Sequence, residues 1–243
     1  MNSQPIQAVA VSRIGGRKTN DDTADAFGYE NHFYAYVGDG LGAYSGGKQA
    51  SQAAREVMYR ASMQGGLTAD KPMLLSASEA DQAVKQLQKE TGGSMKTTLV
   101  FLAIENCEAR WMHVGDSRLY HFRNGHIVSQ TRDHSVSQMA VLMGDIAPED
   151  IRFHPDRNRI LRALGAECSN PELSPPVTIK PGEDAFLLCT DGFWEFVLEE
   201  EMERLLAGSK TPKEWLKKML NVHKERTPDD TDNYSAVAVF CWK

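Results

Sequence analysis

Cysteine is scarce in this 243-residue chain, and its placement excludes more than its number. Cys107, Cys168, Cys189 and Cys241 form no C-x-x-C pair, so a zinc knuckle is ruled out. Cys189 and Cys241 sit inside apolar runs, as buried thiols do in a reducing compartment. A basic excess is lacking too, since 27 Lys and Arg face 33 Asp and Glu for a net charge of -6. A nucleic-acid backbone calls for the opposite sign. No run reaches the roughly 20 apolar residues of a membrane span. Met1-Asn2-Ser3-Gln4-Pro5 has no basic-then-apolar export pattern. The expectation is a cytoplasmic protein with neither nucleic-acid nor membrane partners, in which the sequon Asn233-Tyr234-Ser235 is a chance match.

Several catalytic signatures are also missing. A cysteine phosphatase needs Arg six positions after its thiolate, and His113, Ser174 and Glu195 stand there instead. There is no G-x-S-x-G elbow and no H-E-x-x-H helix. Gly42 to Lys48 fits G-x-x-x-x-G-K, but Gln49 replaces the Ser or Thr that would bind magnesium. It is read as a glycine-rich helix entry. His32, His113, His121, His126, His134, His154 and His223 are scattered, which disfavours a His-rich transition-metal site. His134 and His154 are read as structural.

Carboxylates at the ends of apolar runs are what the chain does have. Val37-Gly38-Asp39-Gly40 ends one run and Leu188-Cys189-Thr190-Asp191-Gly192 another, while Asp232-Asn233 opens a third. Asp116 in Val114-Gly115-Asp116-Ser117-Arg118 is a fourth. Buried together without cations, such acids would repel and lose solvation. An all-oxygen set suits a hard divalent ion, and glycine lets its own carbonyl turn to a metal.

Strand-like runs cover 6–12, 32–37, 97–105, 109–114, 118–123, 126–130, 185–189 and 234–242, with Asn124-Gly125 as a hairpin turn. The close succession from Thr97 to Gln130 leaves no room for crossover helices, so that stretch is antiparallel. Helical stripes start at Lys48 and cover 77–89 and 212–224. With no repeat and no linker, the chain reads as one α+β domain, antiparallel sheets covered by helices.

The ordered set resembles the metal-dependent protein phosphatases of type 2C, in their compact bacterial form. It comprises Gly16-Arg17-Lys18-Thr19-Asn20-Asp21-Asp22, Gly38-Asp39-Gly40-Leu41-Gly42, Gly47-Lys48-Gln49-Ala50-Ser51 and Met95-Lys96-Thr97-Thr98. Gly115-Asp116-Ser117-Arg118, Asp133-His134-Ser135, His154-Pro155-Asp156-Arg157-Asn158, Arg162-Ala163-Leu164-Gly165, Thr190-Asp191-Gly192 and Asp232-Asn233 complete it. The motifs span nearly the whole chain. The resemblance implies a four-layer α-β-β-α sandwich, a single catalytic domain over 1–243 with a mobile flap at about 135–153. It implies two tight Mn2+ or Mg2+ sites and a weaker third. Asp39 would bridge the two metals, Gly40 would ligate through its carbonyl, and Asp191 and Asp232 would complete one site. Asp21 or Asp22 would hold the other metal, directly or through water, while Asp116 with Asp191 would hold the third. Arg17 would bind the phosphate.

The implied reaction is hydrolysis of phosphoserine and phosphothreonine in proteins by a metal-bridging hydroxide, with Asp39 and Arg17 as the catalytic pair. The implied partners are phosphorylated proteins and a cognate bacterial Ser/Thr kinase, with the phosphatase a monomer. Leu41 stands where animal members carry a His proposed as general acid, and Ala43 replaces a second glycine. The alternative is a catalytically weak relative that works as a phosphoprotein-binding regulatory module.

Overall fold

A computed structural model describes residues 6–29, 31–42 and 46–241. Ala43, Trp242 and the N-terminal pentapeptide, on which some of the expectations above fall, lie outside the described residues. Strands β1 (Ile6–Arg13), β2 (Thr23–Tyr29), β3 (His32–Gly38) and β4 (Gly40–Leu41) precede helices α1 (Gly46–Ser62) and α2 (Asp70–Thr91). Then come β5 (Lys96–Thr97), β6 (Leu99–Glu105), β7 (Glu108–Val114), β8 (Arg118–Arg123) and β9 (His126–Gln130). Helix α3 (Val136–Met143) and a 3-10 helix (Pro148–Phe153) lead to β10 (Glu172–Leu173), β11 (Val177–Thr178) and β12 (Asp184–Cys189). The chain closes with α4 (Asp191–Trp194), α5 (Glu199–Ala207), α6 (Pro212–Arg226) and β13 (Tyr234–Cys241).

The strands form two large antiparallel sheets, β1-β13-β12-β8-β9 and β10-β7-β6-β3-β2, with β11 also on β7. Their facing side chains make the central core, where Phe33, Val37, Leu102 and Trp111 meet Leu119, Phe186, Leu188 and Val239. The outer face of the second sheet packs Tyr34, Tyr36 and Phe101 on Ala50, Ala54, Met58, Met73 and Ala80 of α1 and α2. The outer face of the first packs Phe122, Leu187 and Ala238 on Trp194, Met202, Trp215 and Met219 of α4, α5 and α6. The result is the expected four-layer α-β-β-α sandwich. Small residues let α1 lie close to its sheet, so that the Tyr36 hydroxyl donates to the Ser51 carbonyl at 2.9 Å. The β8–β9 turn holds Asn124 at φ 52° and Gly125 at φ 85°, the left-handed pair an Asn-Gly hairpin needs.

Some elements differ from expectation. β2 carries no strand pattern because Ala, Asp and Gly are poor strand formers, and its form comes from pairing with β3. α2 begins at Asp70, seven residues before the expected start. Its first turns expose Leu74 and Leu75, which blurs the apolar stripe there. The acidic α5 and α3, nine and eight residues long, are too short for an apolar stripe to mark them in the sequence.

The register brings the acids to one end. Cys189, at the end of β12, pairs with Arg118 at the start of β8 and with Ala236 near the start of β13. Val37 pairs with Val100, and Leu99 with Val114. The residues that follow β3, β7 and β12 and precede β13 therefore meet at one edge of the sandwich.

Candidate active site

At that edge lies a cleft of about 580 Å3, lined by Asp21, Asp39, Asp116, Asp191 and Asp232, with Arg17 and Lys18 at its lip and Gly40, Leu41, Asn158 and Ile160 on its walls. Of the two acids expected from the first motif, only Asp21 lines it. Asp22 is 1% exposed, beneath the cleft, and its Oδ2 accepts from the Thr190 hydroxyl at 3.0 Å. Adjacent residues entering a strand point to opposite sides, so the two cannot both face the cleft. Asp22 lies one layer deeper, where its charge still acts on Asp39.

Each acid is held by the motif residues around it. The Asp39 amide donates to Thr98 Oγ1 at 2.8 Å, and its carbonyl accepts from the Thr98 amide and the Thr97 hydroxyl at 2.9 Å. Thr98 Oγ1 also meets Ser117 Oγ at 2.8 Å, which ties Asp39 to the Asp116 turn. That turn is clasped by His134, whose amide donates to the Gly115 carbonyl at 2.8 Å and whose Nδ1 accepts from the Gly115 amide at 3.1 Å. The Trp194 indole N–H donates to the Asp116 carbonyl at 3.0 Å. Asn233 staples the loop after β1: its Oδ1 accepts from the Asp21 amide at 2.8 Å, and its Nδ2 donates to Ile14 and Thr19 carbonyls at 2.7 and 2.9 Å. Gly40 and Gly47 touch so closely that a Cβ on Gly40 would sit 2.1 Å from the Gly47 carbonyl oxygen. Glycine at both positions is what lets α1 reach the cleft.

The electrostatics are those of an unneutralised acid cluster. Asp39 is pushed well above the usual carboxylate range by loss of water and then by the charges of Asp191 and Asp22. Asp191 is raised in the same way, by burial and then by Asp116. Burial raises Asp116 to about 7, with Asp133 adding to it. Asp22 rises to about 6, again mainly through burial. Among the described residues, Asp21 Oδ1 and Asp116 Oδ1 are buried with no hydrogen-bond partner. Buried carboxylate oxygens without donors are costly, and hard divalent cations would satisfy them. The donor set therefore fits Mg2+ or Mn2+.

Arg17 donates to Asp232 Oδ2 at 2.8 Å across the lip. The two side chains are 54% and 44% exposed, a pair worth under about 1 kcal/mol. None of the histidines is among the residues that line the cleft. Among the described residues, the group whose ligand atoms lie within 4.8 Å of one another is His113, His134 and Glu172, away from the cleft. Its members are engaged within the protein: His134 Nδ1 accepts from the Gly115 amide at 3.1 Å, His134 Nε2 faces Glu172 at 3.5 Å and Arg162 Nη1 at 3.3 Å, and His113 Nε2 meets the Arg132 carbonyl at 2.8 Å. His134 is structural, as its sequence setting suggests.

By class, this is a four-layer α-β-β-α sandwich that gathers five carboxylates in one cleft with an exposed arginine at its lip. The chain belongs to the protein phosphatase 2C family, whose family model matches residues 11–227. It is similar to the serine/threonine phosphatase stp of Listeria monocytogenes, 31% identical over 210 residues that cover 80% of each chain. The crystal structure of the Mycobacterium tuberculosis serine/threonine phosphatase PstP/Ppp superposes with a TM-score of 0.81 at 27% identity, covering 98% of this chain and 99% of that one. A PstP catalytic domain in complex with two manganese ions matches with a TM-score of 0.81, covering 98% and 99%. At 24% identity it speaks for the fold alone.

Proposed function

We infer that this chain hydrolyses phosphoserine and phosphothreonine esters in proteins, with residues 1–243 as one catalytic domain and 135–153 as its flap. The observation that carries this is the convergence of five carboxylates on one cleft, two with buried unpartnered oxygens, in a chain of the protein phosphatase 2C family. Asp39, the Gly40 carbonyl, Asp21, Asp191 and Asp232 would hold two Mn2+ or Mg2+ ions, and Asp116 with Asp191 a weaker third. When bound, these cations supply Lewis acidity and an activated water.

The protein's own residues do the rest. The Thr97–Thr98 clasp fixes Asp39, so the central ligand needs no reorganisation. Arg17, released from Asp232, offers a phosphate two parallel N–H donors and fixes its orientation, which a lysine cannot. Leu41 and Ile160 form an apolar wall that limits water at the ester. With no histidine in the cleft, protonation of the departing serine or threonine oxygen falls to water. The partners are phosphoproteins in the cytoplasm, among them substrates of a cognate Ser/Thr kinase, met by a monomer.

The test is phosphate release from phosphothreonine peptides after chelation and Mn2+ titration. Release that depends on metal and is lost in Asp39→Asn supports the reading. A folded, metal-loaded protein that binds the peptides without releasing phosphate would point to the regulatory module instead.

A further inference from the structure

Helix α4 carries Asp191 at its start yet has only four residues, Asp191–Trp194. A single turn is unstable by itself, so its position depends on contacts with other elements. Three hold it. His223 Nε2 meets the Gly192 carbonyl at 2.7 Å from α6. The Trp194 indole N–H reaches across to the Asp116 carbonyl. The third is Arg152, from the flap: Nη1 donates to the Trp194 carbonyl at 2.7 Å and to the Glu195 carbonyl at 3.3 Å. These are end-of-helix carbonyls with no intrahelical partner, which an arginine near a helix C-terminus satisfies.

The 3-10 helix gives the flap its most deeply buried contact, beside Val141 and Ile146, which pack against the same core cluster. In the 3-10 helix Ile151 and Arg152 are buried, whereas the flap's α3 buries only Ser137 and exposes Met139, Leu142 and Met143. The Arg152 guanidinium also donates through Nη2 to Glu199 Oε2 at 2.5 Å. Glu199 accepts from Tyr120 at 2.9 Å and Arg118 at 3.3 Å. Arg118 lies flat on the Trp194 ring, 3.4 Å from its centroid, and is paired twice with buried Asp133. Two cations and two carboxylates thus balance around Trp194, and Trp194 links the turns that carry Asp116 and Asp191.

We propose that Arg152 is a positioning residue: it latches the flap to the end of α4 and so sets the spacing of Asp116 and Asp191 for a divalent cation. The proposal rests on the metal-dependent reading of the cleft, but the latch itself can be read without metal. Removing Arg152 leaves Glu199 with Tyr120 and Arg118, so the core need not fail, while α4 loses its C-terminal donors.

The experiment compares wild type, Arg152→Met, Arg152→Lys and, as a control on the same 3-10 helix, the exposed Glu149→Ala. In metal-free protein, amide hydrogen exchange over 191–195 should speed up about tenfold in Arg152→Met, with exchange in β12 and β13 unchanged. In Mn2+ titrations, the concentration for half-maximal rate should rise about tenfold while the plateau falls less. Calorimetry should show the tight sites retained and the weakest binding step reduced. Arg152→Lys, with one ammonium for two carbonyls and a carboxylate, should fall between, and Glu149→Ala should match wild type. Wild-type exchange and wild-type Mn2+ dependence in folded Arg152→Met, or in Arg152→Lys should the Met variant not fold, would overturn the proposal. If wild-type protein needs no metal, the reading of the cleft falls instead, and the exchange arm still decides the latch.

Discussion

Asp39 serves two opposed demands. Its carboxylate is the central ligand in the proposed metal site, and without metal, burial first and then the charges of Asp191, Asp22, Asp116 and Asp232 raise its pKa far above normal. Asp39→Asn removes that repulsion and the ligand charge together. Turnover at saturating Mn2+ should fall more than about a hundredfold, while the metal-free protein should melt a few degrees higher. Calorimetric melting and phosphate release, run on the same sample, check both. A lower melting point would mean that Asp39 is stabilised by contacts rather than strained by charge. Arg17 is the reverse case, because its exposed pair with Asp232 contributes little to folding. Arg17→Ala should leave melting unchanged and cost roughly ten- to a hundredfold in kcat/KM for phosphopeptides. Unchanged inhibition by inorganic phosphate would remove Arg17 from the site.

Elements decide which residues of a motif face the cleft, and there the sequence is only partly legible. The strand-end acids could be found because an apolar run that stops at an Asp is a local pattern. Asp21 and Asp22 could not be told apart, since their sides depend on β2, a strand made by pairing rather than propensity. Asn233 was visible only as the neighbour of Asp232. Its role depends on the loop after β1, more than 200 residues away. Arg152 gave no signal either, as an arginine in a polar flap segment reads as solvated until Trp194 and Glu199 are seen around it. Asn233→Ala would leave the Asp21 amide without an acceptor and the Thr19 carbonyl without a donor, while the Ile14 carbonyl would keep only the Arg17 amide at 3.3 Å. It should cost about 2–4 kcal/mol in urea unfolding and raise the Mn2+ needed for activity, with recovery at high Mn2+. An unchanged urea midpoint would show that the loop is held by other contacts.

At the scale of the whole molecule, the cleft makes stability depend on both pH and metal. Asp116 at about 7 and Asp22 at about 6 have folded pKa values above the ordinary 3.8, and Asp39 and Asp191 are shifted the same way. The folded state therefore holds protons more tightly than the unfolded chain, and stability drains away as these carboxyls ionise. For Asp22 alone, a rise of roughly two units corresponds to about 3 kcal/mol. Below pH 6.5 the trend is opposed. Burial lowers His113 and His223, and takes His134 from 6.5 to about 4, so over that range the unfolded chain gains histidine protons that the fold refuses. From pH 6.5 upward the unfolded chain sheds its remaining protons from these three histidines, so their opposing effect fades and the carboxyls dominate. The metal-free protein should therefore lose stability between pH 6.5 and 8, read as a falling melting temperature in EDTA. With saturating Mn2+ the cations replace those protons, and the same interval should be flat or rising. A metal-free protein that is equally stable at both ends of the interval would mean that the acids are better solvated than the cleft's geometry implies, and that divalent cations are not needed to hold them together.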